Sequence, residues 1–266
     1  GGRAPRVAPR GRPYASARFA PSPGVVDLVR RHWVPMWHLP EGESSEQAVL
    51  QYPVCLVVVA HDYARFYGVQ SGLSRTTLVG TGWAAGVMLQ PGAGRLLLGQ
   101  DVSTVTDRHV ELSDVLGSQV VTDVRAAMTD PQDPGCRREA ADSLEAVIRA
   151  HLPLDDEGRL VNDLVDHIEH DPSVRQVSQV CDRFGLSERA LQRLTRRRLG
   201  LTPKWLIQRR RLHEASERLR AGPGDLAAIA HDLGYADQAH FTRDFRRVTG
   251  ITPGGFARRF AAGADA

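Results

Sequence analysis

Two stretches of the chain, fifty residues apart, carry one pattern. "GLSERALQRLTRRRLGLTP" runs from Gly185 to Pro203, and "GYADQAHFTRDFRRVTGITP" from Gly234 to Pro253. Ser187 falls on Asp237, Leu191 on Phe241, Arg193 on Arg243, Gly200 on Gly250 and Pro203 on Pro253. An amphipathic run precedes each copy: Val174, Val177, Val180, Cys181 and Phe184 in the first, and Leu226, Ile229, Ala230 and Leu233 in the second. Gly185 and Gly234 stand where the chain has to turn sharply, a bend that glycine makes without a Cβ penalty. Ser187 and Asp237 are suited to cap the next helix. Helix, glycine turn and capped helix make a helix-turn-helix unit, here present twice.

The second helix of each unit has two faces. Leu191, Leu194 and Leu199 point inward in the first copy, and Phe241, Phe245 and Val248 in the second. Arg189, Gln192, Arg193, Arg196 and Arg197 point outward in the first; Gln238, Ala239, Thr242, Arg243 and Arg246 do so in the second. Gln and Arg near a helix N-terminus make bidentate bonds to adenine and guanine edges in the major groove. Arginines further along reach phosphates. A solvated basic face is the rival reading for either helix alone. Turn, cap and donor face occurring together in both copies favour base reading.

Between the units, "TPKWLIQRRRLHEASERLRAG" sets Trp205, Gln208, Leu212, Ala215 and Leu219 on one stripe of a long helix. About eighteen residues span roughly 27 Å, and successive major grooves on one DNA face lie about 34 Å apart. Such a rod holds both readers on one side of a duplex if the DNA bends or one helix sits poorly.

These residues resemble the DNA-binding domain of the AraC/XylS family of bacterial transcription regulators. The resemblance covers about 160–260 and is most specific over "AAIAHDLGYADQAHFTRDFRRVTGITPGGFARR", Ala227 to Arg259. It implies base reading by Arg189, Gln192 and Arg193 in the first copy, and by Gln238, Ala239, His240 and Arg243 in the second. Backbone contacts are expected from Ser187, Arg196, Arg197, Lys204, Thr242, Arg246 and Arg247. One departure bears on how the first reader is seated: Thr195 stands where the family carries an aromatic, as Phe245 does in the second copy.

The net charge of +3 conceals a split. Residues 172–266 carry 18 Lys and Arg against 9 Asp and Glu, whereas residues 1–171 carry 16 against 22. An acidic front and a basic back indicate two domains, the back one facing a polyanion. From Phe19 to Leu116 the pattern is β-like: "AVLQYPVCLVVVA", "ARFYGV", "RTTLVG", "WAAGVMLQ" and "GRLLLG" are short runs between turn signals, with "QPGAGR" itself a turn. A β-barrel or sandwich is expected there. "ELSDVLGSQVVTDVRAAM" and "CRREAADSLEAVIRAHL" then read as helices. The front half is similar, more weakly, to the cupin-like sensor domains that precede this module in the family. That likeness implies effector binding or dimerisation.

The expected fold is α+β. Residues 1–18 form a disordered leader and 19–152 a β-rich sensor or dimerisation domain ending in helices. Residues 153–159 are the linker, and 160–266 an all-α DNA-binding domain. Within the last, the units are 174–199 and 225–249, joined by a helix over 203–220. Trp33, Trp37, His38, Tyr52 and Trp83 are candidates to line an effector pocket, with barrel core as the alternative for each.

Other chemistry finds little support. Cys55, Cys136 and Cys181 show neither metal nor disulfide spacing. "GTGWAAGVMLQPGAG" lacks the lysine and spacing of a phosphate loop and reads as barrel turns. His167 and His170 lack a third metal ligand, and no catalytic constellation, cofactor motif or membrane-length apolar run is present. The expectation is a cytoplasmic bacterial regulator and not an enzyme. It is effector-responsive, dimeric, and bound to double-stranded promoter DNA. The family likeness adds activation through RNA polymerase. Two alternatives remain: a regulator whose front domain only dimerises, and an enzyme domain fused to a DNA-binding tail.

Overall fold

The computed structural model describes residues 6–7, 14–222 and 224–261. Two antiparallel sheets build the front half. The smaller is ordered β1 (Arg6–Val7), β4 (Ser44–Leu50), β7 (Leu73–Val79). The larger runs β2 (Tyr14–Phe19), β3 (Val29–His38), β8 (Thr81–Leu89), β5 (Leu56–Ala60), β6 (Ala64–Tyr67), β9 (His109–Glu111). The disordered leader is therefore corrected: Arg6–Val7 pairs with β4, and Tyr14–Phe19 pairs along β3. The rest of that expectation, residues 1–5 and 8–13, lies outside the described residues.

The side-chain alternation of a strand assigns the two faces of the larger sheet. His32, Val34 and Met36 on β3 pack toward the helices, while Trp33, Pro35 and Trp37 face the smaller sheet. Helix α1 (Ala93–Leu98) lies between β8 and β9; α2 (Leu112–Leu116), α3 (Gln119–Ala127) and α4 (Pro134–Arg149) follow β9, and α3 and α4 lie on the sheet. "GRLLLG" was expected to be β-like and is instead the body of α1; Ala93 and Leu97 are buried beneath it, the spacing of a helix.

Helix α5 (Asp156–His170) begins inside the expected linker. Asp155 caps it by accepting the Gly158 N–H at 2.7 Å, so of 153–159 only Pro153–Asp155 lies outside the helix. The polar run "DDEGR" signals a cap and an acidic first turn, not an extended spacer. Then come α6 (Val177–Phe184), α7 (Glu188–Leu199), α8 (Pro203–Ala221), α9 (Leu226–Asp232), α10 (Gln238–Thr249) and α11 (Pro253–Ala261).

The two halves share their hydrophobic interior. The main cluster joins Val34, Phe66 and Leu144 of the front half to Leu164, Val180, Leu191 and Leu199 behind. A second cluster sets Ala48 and Leu50 of β4 against Leu212, Leu219, Phe241, Phe245 and Phe256. Each helix-turn-helix unit is thus fastened to the front half through its own patch. Polar contacts repeat this: Trp205 Nε1 donates to Ser71 O at 2.9 Å, Thr106 Oγ1 to Gly200 O at 3.2 Å, and Arg209 Nε to Gln51 O at 2.6 Å.

Candidate nucleic-acid interface and barrel pocket

Both expected reading helices form with their caps in place. Ser187 Oγ accepts the Ala190 N–H at 3.2 Å and Asp237 Oδ1 accepts the His240 N–H at 2.6 Å. Gly185 and Gly234 take φ of 64° and 73°, the left-handed values the turns require. Helices α7 and α10 span twelve residues each, in the register the repeat gives.

Their inner faces are closed. Leu191, Leu199, Phe241 and Phe245 are fully buried. Phe241, Phe245 and Phe256 stack edge to face at 5.7 and 5.4 Å, which anchors α10 to α11. Thr195 is also fully buried, its hydroxyl on Gln192 O at 3.3 Å. The leucines of α7 join the main core, and its C-terminal end is held by an ion cluster with α5. Arg198, 2 % exposed, reaches Glu157 at 3.0 Å and also Asp155.

The outer faces are open. Arg189, Gln192, Arg193 and Arg196 of α7 are exposed, as are Gln238, Ala239, His240, Arg243, Arg246 and Arg247 of α10. Arg189, Arg193, Arg196, Arg243 and Arg246 form no ion pair among the described residues. Gln192 donates to Glu188 Oε1 at 3.0 Å, and Arg247 reaches Asp244 at 3.2 Å. His240 stands edge-on to Tyr235 at 5.3 Å. Lys204 is exposed beside the start of α8, and Thr242 is half-buried. Besides Arg247, two expected backbone contacts are already engaged. Arg197 turns from the reading face to pair with Glu157, because α5 brings that carboxylate alongside. Ser187 Oγ accepts the cap hydrogen bond, leaving its O–H as donor.

A cavity of about 180 Å³ lies between the two sheets. Trp33, Trp37, Tyr63 and Tyr67 line it with Arg18, Arg31 and Gln47. Two of the five expected pocket residues, Trp33 and Trp37, meet there. The other three are corrected. Tyr52 faces a separate cavity toward α8, and His38 is at the surface with Nδ1 2.6 Å from Thr81 Oγ1. Trp83 points to the opposite face of the larger sheet, packing against the main core. Tyr67 and the two arginines escaped the sequence reading; the alternation of Arg31, Trp33, Pro35 and Trp37 was the available signal. The barrel-turn reading of "GTGWAAGVMLQPGAG" is also corrected, since Gly82 and Gly86 lie within β8 across from Trp37 and Trp33.

All three cysteines are free thiols. Cys55 is buried and its thiol is pushed up to about 12 by desolvation. No helix among the described residues is long and apolar enough to cross a membrane, and no cluster of three or more potential metal ligands occurs there.

One family model agrees with the helix-turn-helix geometry. Residues 180–259 match the family model described as a helix-turn-helix domain, and residues 17–111 match a domain of unknown function (DUF6597). The HTH-type transcriptional activator RhaS of Escherichia fergusonii is 39 % identical over 87 residues, 33 % of this chain and 30 % of that protein. RhaS of Pectobacterium carotovorum is 36 % identical over 74 residues, 28 % of this chain and 26 % of that protein. The chain thus covers less than a third of the length of these relatives. Crystal structures of ToxT from Vibrio cholerae align at 11 % identity. One gives a TM-score of 0.43 over 86 % of this chain and 98 % of that one; another gives 0.45 over 94 % and 100 %.

Proposed function

We propose that this chain, a member of the AraC/XylS family by its C-terminal domain, is a sequence-specific transcription regulator. It reads two adjacent major-groove segments of one asymmetric site. One observation carries the reading: two capped helices in identical register each bury one face and offer exposed Arg and Gln donors on the other. A merely solvated face has no need of unpaired guanidinium groups at matching positions of both helices. Base contacts fall to Arg189, Gln192, Arg193, Gln238, Ala239, His240 and Arg243. Arg196, Lys204, Thr242, Arg246, Arg247 and the Ser187 hydroxyl meet phosphates.

The lumen between the sheets is the effector site of this reading, with its aromatic walls and the Arg18 and Arg31 side chains at one side. Activation through RNA polymerase and pairing of two chains complete it. Selection of bound sites from random DNA tests the core claim. Two conserved half-sites about ten base pairs apart are expected. A single half-site, or enrichment of no sequence, overturns it.

A further inference from the structure

We propose that the cavity between β3 and α8 binds a phosphate group, free or carried on a small molecule. This cavity adjoins the lumen at Arg31, whose side chain lines both, and it does not depend on the DNA-binding reading.

The cavity measures about 510 Å³. Four guanidinium groups line it: Arg30 and Arg31 from β3, Arg209 and Arg210 from α8. Only two carboxylates, Glu169 and Glu217, stand among the lining residues. Glu169 is divided between two partners, Arg30 at 2.8 Å and Arg209 at 3.5 Å. Arg31 has only the weak acceptor Met88 Sδ, at 3.5 Å, as its hydrogen-bond partner among the described residues. Arg210 donates to Val174 O at 2.9 Å and reaches Glu214 at 3.3 Å.

Arg209 is the most confined of the four. Its side chain is 3 % exposed, and its Nη2 finds no hydrogen-bond partner among the described residues. Arg30 and Arg209 both lie against the ring of Tyr52, at 4.5 and 4.6 Å from its centroid, which restrains both forks. Burial pulls the Arg209 guanidinium below its ordinary range while Glu169 works the other way. A charge so placed gains from any further anion.

The lining carries two more positive than negative charges, which suits a dianion better than a carboxylate. Planar guanidinium forks match phosphate oxygens two at a time. Tyr52 and the imidazoles of His170 and His213 are the rings in the lining, and no aliphatic side chain accompanies them, so the cavity does not suit an acid with an apolar tail. Its volume leaves room for more than the phosphate itself. Because Arg30 and Arg31 come from the front half and Arg209 and Arg210 from the rod between the readers, an occupant would pin the two together.

Calorimetric titration and thermal shift of the full chain, at ionic strength matched with chloride, test the site. The probes are inorganic phosphate, glucose 6-phosphate and acetate. Phosphate or its ester should raise the melting temperature and acetate should not. Arg31→Gln leaves no carboxylate unpaired, so it should fold normally and weaken phosphate at least tenfold, whereas Arg18→Gln, on the lumen side only, should not. Arg209→Met should do the same if it folds. Glucose 6-phosphate binding more than tenfold above inorganic phosphate identifies an ester, and equal binding identifies the free ion. The proposal fails if phosphate acts no differently from chloride, if acetate binds as well, or if Arg31→Gln responds like the parent chain.

Discussion

Trp33 and Gly86 are register partners on β3 and β8, and the indole of Trp33 occupies the space a Cβ at Gly86 would fill. Such a Cβ would lie 2.4 Å from the ring. Gly82 stands in the same relation to Trp37. The lumen keeps its aromatic walls because two positions of β8 carry no side chain.

Gly86→Ala should therefore cost about 1–3 kcal/mol of stability, the range of overpacked interiors. Trp33→Phe in the same chain should recover most of that loss, since the smaller ring withdraws from the clash. Denaturant melts of the two single variants and the double variant measure the coupling. An unchanged midpoint for Gly86→Ala would mean the ring moves freely.

Arg243→Ala removes an exposed donor from the first half of α10. On the selected site it should cost about 1–3 kcal/mol and relax preference at one base position. Competition binding against single-base variants reads this. A loss of equal size on every sequence would make Arg243 a phosphate contact instead.

Glu157 holds both Arg197 and the buried Arg198. Glu157→Gln weakens that hold and should lower stability by about 1–3 kcal/mol. It also releases the half-buried Arg197 toward the backbone of bound DNA. The slope of log affinity against log salt should then steepen by about 1. A slope like that of the parent chain would keep Arg197 away from DNA.

His32 and Glu145 form a buried pair, with Nε2 2.8 Å from Oε1 and the imidazole stacked on Phe19 at 5.1 Å. Burial lowers the His32 pKa from its ordinary 6.5, outweighing the pull of Glu145. Burial opposes the Glu145 charge, yet the N–H and O–H of Ser22 together with His32 hold it below its ordinary 4.5. Both groups bind protons more weakly when folded. Their contribution is complete above pH 6.5 and drains as the pH falls, first through the imidazole range and then through the carboxylate range. Melting temperature followed from pH 8 to pH 4 should drop in that direction, and His32→Gln should remove the upper part of the drop.

The repeat made the rear domain legible because each of its signals is local. Glycine turns, caps and helical periodicity lie within a few residues of one another, and all of them recur at the fifty-residue offset. The lumen was half legible. Trp33 and Trp37 share a face by alternation, but nothing local told that Trp83 belongs to the other side, because register sets that. Arg197 was misjudged for a related reason. Helical spacing puts it beside the readers, and only the packing of α5 brings Glu157 to it. The meeting of Arg209 with Tyr52 was out of reach, since residues so distant in sequence meet through tertiary packing.

The rod α8 has its two ends tied to different patches of a single frame, β4 near one reader and the helices under the larger sheet near the other. Inserting one residue into it would swing one jaw by about 100° and push it out by about 1.5 Å, while both jaws stay bolted down. Span and phase of this caliper are thus machined by the front half as much as by the rod. Spacers between the two proposed half-sites should tolerate no drift unless the frame changes with them.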